Sequence, residues 1–490
     1  MSFIRKIKKG DATYLAKVES YREDGKVKQR VLEYIGKEES GVAVQKVDIN
    51  KIEVQNVKHY ADVAVLHQLA IELKLNYLLG KNHKPIIALL IAHLICKGSI
   101  TRIASWIENS TIKEVLGIEH LSTETLYGAL DYLEECNFDI IENTIFEYWK
   151  KLAPNDKDSF VLDVTDTYYN GRHDHSSSRK GKDGKVSKLI QIGLGVSFEN
   201  GFPVFHKAYD GNISNIKILE DLTGTMAQRG ISTIVMDRGF YSEANVIDLE
   251  KLKMNMIVGV KQSIGIKKEV LSKIVRDDIY TGKHQVELKD TFVYVQQVDF
   301  LFGKLIIIYN PKYEALKRDK LLASEATDNE VRFVGYSLIF HNTNMEAATV
   351  VRKYFDKDIV ERSFRTLKGE VQLHPIRLWM PRRVNAHIKI CYLSLCMLSL
   401  IKYRCRNLEL SASAIINELQ NIYKVNLKHA VTNQEFTKVV TLSNQQKNIR
   451  ECKLNCVIVL RIPLFSRPMG REKRGIFLEN SWHSSLKHNT

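Results

Sequence analysis

The sequence predicts an α/β protein: a mixed sheet with flanking helices, preceded by a β module and a helical domain, and interrupted by a β-rich insertion. Three observations carry this. Over 158–262, strand-like apolar runs and stretches of helical spacing follow one another as β-β-β-α-β-α-β, three strands and then alternation. Over 263–345, strand-like runs recur without helical spacing between them. From 346 to about 425 the 3.6-residue period takes over. At 490 residues the chain exceeds one ordinary domain, and its 44% hydrophobic content with only eight prolines marks a globular protein.

The N-terminal module, 1–58, rests on the runs Thr13-Tyr14-Leu15-Ala16-Lys17-Val18 and Lys28-Gln29-Arg30-Val31-Leu32. Between them Glu23-Asp24-Gly25-Lys26 is a turn signal, so a hairpin is expected. Arg5, Lys6, Lys8 and Lys9 make its entry basic; a solvated face is the first reading and DNA contact the second. The interval 59–152 carries apolar residues at three- and four-residue spacing, with Ser122 and Thr123 as N-cap candidates. A helical DNA-binding domain and a purely structural one both suit it.

Within 158–262, Phe160-Val161-Leu162-Asp163-Val164-Thr165 and Ile231-Ser232-Thr233-Ile234-Val235-Met236-Asp237 are buried-strand patterns that run into carboxylates. The insertion, 263–345, is clearest at 291–295, 303–309 and 331–340. The core is expected to resume at 346–400 and to be followed by a helical region, 401–465. The aperiodic, basic stretch 466–490 is expected to be disordered. Two apolar runs, 85–96 and 390–401, are each about a dozen residues, short of the roughly 20 that span a bilayer, and read as buried helices.

Seventy-two basic against 57 acidic residues leave a net charge of +15. An excess of that size favours polyanions, nucleic acid first and an anionic membrane surface second. The seven cysteines are an odd number, and Met1-Ser2-Phe3-Ile4-Arg5-Lys6 is no secretory signal, so a reduced, cytoplasmic setting is expected. Cys452 and Cys456 form an isolated CxxxC without matching His or Cys nearby, a weak zinc signal.

Asp163 and Asp237 each end an apolar strand of one inferred sheet, where reactive groups collect just past strand ends. A third carboxylate comes from 354–368. Read as one helix, Tyr354, Glu361 and Lys368 recur every seven residues and share a face, with about 20° of drift per step. Lys357 and Arg365 stand four residues before and after Glu361. Seen alone, such a stripe reads first as a solvated face laced with ion pairs. Two strand-end aspartates change that: three hard oxygen donors suit Mg²⁺ or Mn²⁺, and two such ions suit displacement at phosphorus. Asp166 competes with Asp163, but three residues along a strand reverses the side-chain direction, and Asp163 lies within the buried run.

Leu162-Asp163-Val164-Thr165, Asp210-Gly211-Asn212, Met236-Asp237-Arg238-Gly239-Phe240-Tyr241-Ser242 and the segment 354–368 resemble the DDE transposases of prokaryotic insertion sequences. The nearest group has a Y-x2-R-x3-E-x6-K signature and an RNase-H-like catalytic domain. Leu373-His374-Pro375-Ile376-Arg377 and Ala386-His387-Ile388-Lys389-Ile390 are similar to that group as well. The resemblance, which runs from roughly 60 to 445, implies that Asp163, Asp237 and Glu361 bind the metal and that Tyr354 and Lys368 contact DNA. Lys357 replaces the signature arginine and keeps the charge without the bidentate fork; Arg365 joins it as a DNA-contact candidate.

The family's β-rich insertion would account for the interval between Asp237 and Glu361. Some relatives stack a flipped base on an insertion aromatic during hairpin formation. Here Phe292, Tyr294, Phe300 and Phe302 stand in that interval, and each reads first as core. The activity implied is cleavage at element ends and joining to target DNA, with double-stranded DNA as partner, a homodimer on paired ends, a cytoplasmic, nucleoid-associated location and no membrane. An RNase-H-like nuclease without strand transfer and a retired, transposase-derived DNA-binding protein are the competing readings.

Overall fold

The structure, a computed structural model, describes residues 2–10, 12–39, 42–44, 49–156, 158–168, 178–180, 186–260, 264–272, 276–323, 331–452 and 454. The expected disordered tail, 466–490, and Cys456 of the CxxxC pair lie outside the described residues. Two compact units emerge, one drawn from 1–57 and 424–440, the other from 58–423 and 441–459.

In the first unit β1 (Ser2–Lys9), β2 (Ala12–Glu23), β3 (Lys26–Glu39) and β4 (Val42–Val44) form an antiparallel sheet in sequence order. The expected hairpin is there: Glu23 pairs with Lys26, and Asp24 and Gly25 take φ of 51° and 74° between them. Two positive φ values in a two-residue loop give the turn whose twist matches the flanking strands. β5 (Ile52–His59) follows.

The second unit is organised on a ten-stranded sheet. Its strands are β6 (Ser159–Tyr168), β7 (Ser178–Lys180), β8 (Val186–Ser197), β9 (Pro203–Asp210), β10 (Thr233–Met236), β11 (Asn255–Gly259), β12 (Gln285–Glu287), β13 (Phe292–Phe300), β14 (Gly303–Tyr309) and β15 (Tyr336–His341). β9, β8 and β6 are antiparallel neighbours, and β10 and β11 then run parallel to β6. Helices Asn215–Gln228 and Glu243–Lys251 make the crossovers, each opened by a serine cap, Ser214 and Ser242. This is the RNase-H-like mixed sheet.

The interval 263–345 departs from expectation in two ways. Its strands hydrogen-bond onto the open edge of the core sheet, in the order β11-β15-β14-β13-β12. It also contains helices, the longest Pro311–Leu322, where none was expected. That helix starts on an Asn310 cap with Pro311 in its first turn, but its exposed, charged surface leaves no apolar stripe to read. The interval 401–465 also differs, since β16 (Tyr423–His429) and β17 (Glu435–Val439) lie between the helices Ala412–Gln420 and Asn444–Glu451. β17, β16 and β5 form a three-stranded sheet. The alternation of Val425 and Leu427 with lysine and asparagine was a strand signal too short to outweigh its helical surroundings.

The helix Pro381–Arg404 is the central buried element, packed against His83–Cys96, Thr123–Glu135 and β9. It is long and apolar enough to cross a bilayer, yet 78% of its apolar stretch is buried inside the protein. The helices of 59–152 are thus built into the same unit as the sheet. Arg383 grips Asp131 through two hydrogen bonds of 2.9 and 2.8 Å, and Lys389 pairs with Glu134 at 2.8 Å. Below them Trp149 stacks on Phe202 with ring centroids 4.2 Å apart.

His341 ends β15 with no exposed surface. Its Nδ1 faces the Thr343 hydroxyl at 3.1 Å and its Nε2 the Gln297 side-chain oxygen at 3.2 Å. Burial, reinforced by the Lys304 charge, pulls its pKa down to about 4. The unfolded chain therefore takes up a proton near pH 6.5 that the folded chain refuses until about pH 4. Its contribution is complete above pH 6.5 and declines as pH falls through that window, by up to about 3 kcal/mol. Thermal melts from pH 7.5 to 4 should show a shallower loss of Tm in His341→Asn than in the wild type.

Candidate active site

Asp163 and Asp237 are brought side by side by strand register. β6 and β10 run parallel and pair up to Leu162 opposite Met236. The next residue along β6 is Asp163, and the residue that follows the end of β10 is Asp237. Parallel neighbours lie about 4.8 Å apart, so the two carboxylates leave the shared edge together. β6 does not end at Asp163, as the sequence suggested, but continues to Tyr168 against β8. Only its pairing with β10 stops there. Because the strand is continuous, Asp163 and Asp166 face opposite sides of it; Asp166 is the more buried, at 7% exposed.

The segment 354–368 is not one helix. Tyr354 belongs to the helix Ala347–Phe355, Glu361 to Asp358–Arg365, and Lys368 to the π-helical turn Thr366–Glu370. A two-residue turn at Asp356 and Lys357 separates the first two. The amides crossing it make long bonds, Ile359 N to Asp356 O at 3.4 Å and Val360 N to Lys357 O at 3.3 Å. At the break Asp356 is paired with Lys289 at 2.6 Å, while Lys357 turns to Asp237 at 3.8 Å. The seven-residue stripe is therefore a property of the sequence and not of a single cylinder.

Broken, the segment still addresses the aspartates. The Tyr354 hydroxyl donates to the Asp237 Oδ1 at 3.3 Å, and the Lys357 ammonium lies 5.1 Å from the Tyr354 ring centroid. Burial and then the Asp237 charge hold the Tyr354 hydroxyl well above its ordinary range, so it acts as a donor. The Glu361 helix packs across β6, the strand of Asp163, with Val360, Ser363 and Phe364 buried. Glu361 and Arg365 are exposed, and Lys368 is half-buried. Asp237 keeps 49% of its side chain exposed. Register brings Asp163 and Asp237 together, whereas Glu361 stands exposed on the helix that packs across β6; as hard oxygen donors, all three suit a divalent cation that keeps places for water and phosphate.

Sequence reasoning missed the seat of Tyr354. A methyl group at Gly259, the last residue of β11, would overlap the tyrosine hydroxyl and meet the Arg238 Cβ at 3.2 Å. A glycine at a strand end is a signal of close approach. Gly259→Ala should cost about 1–3 kcal/mol by overpacking, and adding Tyr354→Phe should recover part of it. Thermal melts of the single and double variants check this. Among the insertion aromatics, Tyr294 is buried, whereas Phe292 and Phe302 are 42% and 40% exposed.

The chain matches the Transposase DDE domain family over residues 154–397 and the IS1634 family transposase, N-terminal domain, over residues 4–49. The piggyBac transposase synaptic complex with hairpin DNA is a similar solved structure, at 12% identity and a TM-score of 0.41, over 74% of this chain and 76% of that one. No curated protein matches the chain. With its core and its N-terminal module both matched, the chain belongs to the DDE transposases of insertion sequences, divalent-metal-dependent enzymes that bind, cut and transfer DNA.

Proposed function

We propose that the protein cuts its element at the terminal inverted repeats and pastes it into target DNA, using Asp163, Asp237 and Glu361. The observation that carries this reading is the β6–β10 register, in which Asp163 and Asp237 take neighbouring positions; the packing of the Glu361 helix across β6 supports it. The three carboxylates would hold Mg²⁺ or Mn²⁺, two ions in all. When bound, such ions polarise the scissile phosphate and lower the pKa of attacking water.

In the cleavage step a water oxygen bonds to phosphorus, the P–O3′ bond breaks, and the element end is left with a free 3′-OH. In the joining step that 3′ oxygen attacks a target phosphodiester and displaces its 3′ oxygen. Lys357, Arg365 and Lys368 offset phosphate charge, and the Tyr354 hydroxyl, anchored on Asp237, positions the strand beside the carboxylates. A homodimer holding paired ends, acting at the nucleoid in the cytoplasm, completes the reading. The nuclease alternative shares the first step and lacks the second.

The test is incubation of purified protein with Mg²⁺, DNA bearing the element's own terminal repeats, and a target plasmid. Cleaved ends joined to the plasmid are expected. Cleavage without joined product would favour the nuclease, and binding without cleavage the retired DNA-binding protein.

A further inference from the structure

Away from the carboxylates, two histidines and a cysteine converge in the interior. His93 comes from the helix His83–Cys96, and His387 and Cys391 lie one turn apart on Pro381–Arg404. The Cys391 Sγ is 3.6 Å from the His93 Nε2 and 3.5 Å from the His387 Nε2, and all three ligand atoms lie within 4.8 Å of one another. Among the described residues this is the one trio of such groups with so close an approach.

Proton counting makes the arrangement unusual. Each imidazole also bonds a backbone carbonyl, His93 that of Val371 and His387 that of Leu373. With Nε2 facing sulfur, that bond falls to Nδ1–H, so both Nε2 atoms present lone pairs. His93 and Cys391 are buried, and His387 is half-buried beside them. One thiol proton can satisfy only one of the two acceptors. An acceptor left against a sulfur lone pair in this setting is destabilising. A cation at the centre would satisfy all three.

The spacing identifies its class. With Zn–N near 2.05 Å and Zn–S near 2.3 Å, a tetrahedral site has an N···S edge of about 3.6 Å, which matches both observed edges. Each histidine has the carbonyl partner that orients a zinc-bound imidazole. A cavity of about 40 Å³, lined by both histidines together with Ser99, Gln372 and Arg377, has room for a water in the fourth position. The geometry points to a zinc site formed by His93, His387 and Cys391, in which the ion replaces the thiol proton and that proton leaves to solvent. Through Val371 and Leu373 it would brace the stretch of chain that follows the Glu361 helix and its π turn.

Full-length protein should be exposed to zinc, desalted and assayed for metal. The carrier is Asp163→Asn/Asp237→Asn/Glu361→Gln, which disarms the carboxylate site. About one zinc per chain should remain, and cobalt in its place should give a thiolate-to-metal charge-transfer band. Cys391→Ala should lose both while keeping its far-ultraviolet circular dichroism, and chelation should lower Tm in the carrier but not in Cys391→Ala. Should Cys391→Ala fail to fold, the cobalt band of the carrier decides alone. A folded carrier without retained zinc and without the band overturns the inference, as does zinc retained undiminished in both Cys391→Ala and His93→Gln.

Discussion

Glu361→Gln is expected to lose cleavage and joining by about 10³-fold or more while its Tm stays within a degree or two of the wild type. The substitution preserves shape and removes one negative charge. Glu361 is exposed on a helix whose buried contacts are Val360, Ser363 and Phe364, so stability has little stake in it. An amide is a much poorer ligand for a hard divalent ion than a carboxylate. Activity on labelled end DNA, measured beside a thermal melt, separates chemistry from folding. Cleavage and joining at the wild-type level would remove Glu361 from the site. Asp163→Asn should behave like Glu361→Gln, and Asp166→Asn should retain cleavage, because Asp166 faces the other side of β6.

The second large effect lies in the core. Glu142 is 2% exposed and is held by the Arg229 guanidinium at 2.8 Å and by the His206 Nδ1 and backbone amide at 2.6 and 2.9 Å. Arg229, itself buried, also donates to the Val204 carbonyl at 3.0 Å. The network ties the helix Phe138–Leu152 to β9 and to the end of Asn215–Gln228. Glu142→Ala would leave the buried guanidinium with only the Val204 carbonyl and the longer contact to exposed Asp139, at 3.6 Å, and a loss of about 3 kcal/mol is expected. Glu142→Met with Arg229→Met should be less damaging than Glu142→Ala alone, since no charge is left unpaired. Comparison of their denaturation midpoints checks this; a double variant worse than the single would contradict it.

The parts legible in the sequence were those set by local pattern. The order of strands and helices over 158–262, apart from the added short strand β7, the Asp24-Gly25 hairpin and the strand leading into Asp237 each follow from a few neighbouring residues. What escaped notice depends on distant partners. Asp356 pairs with Lys289 and Lys357 with Asp237 where the helix breaks, and nothing within 354–368 announces that turn. The approach of Tyr354 to Gly259 joins positions almost a hundred residues apart. The meeting of His93 with His387 and Cys391 spans nearly three hundred, and only the one-turn spacing of the latter two was visible. The Pro311–Leu322 helix was hidden for another reason, since a charged, exposed helix carries no apolar period.

The strands of 263–345 have a consequence for how such a protein can be divided. β15 occupies the hydrogen-bonding edge of β11, and the helix that carries Tyr354 rests on β10, β11 and β13 together. Excising the interval would leave β11 with a bare, apolar edge, an invitation to pair with another chain. It would also take away part of the floor under Tyr354. A minimal enzyme cannot be made here by trimming between Asp237 and Glu361, because the segment that separates the acids in sequence finishes the sheet that unites them in space.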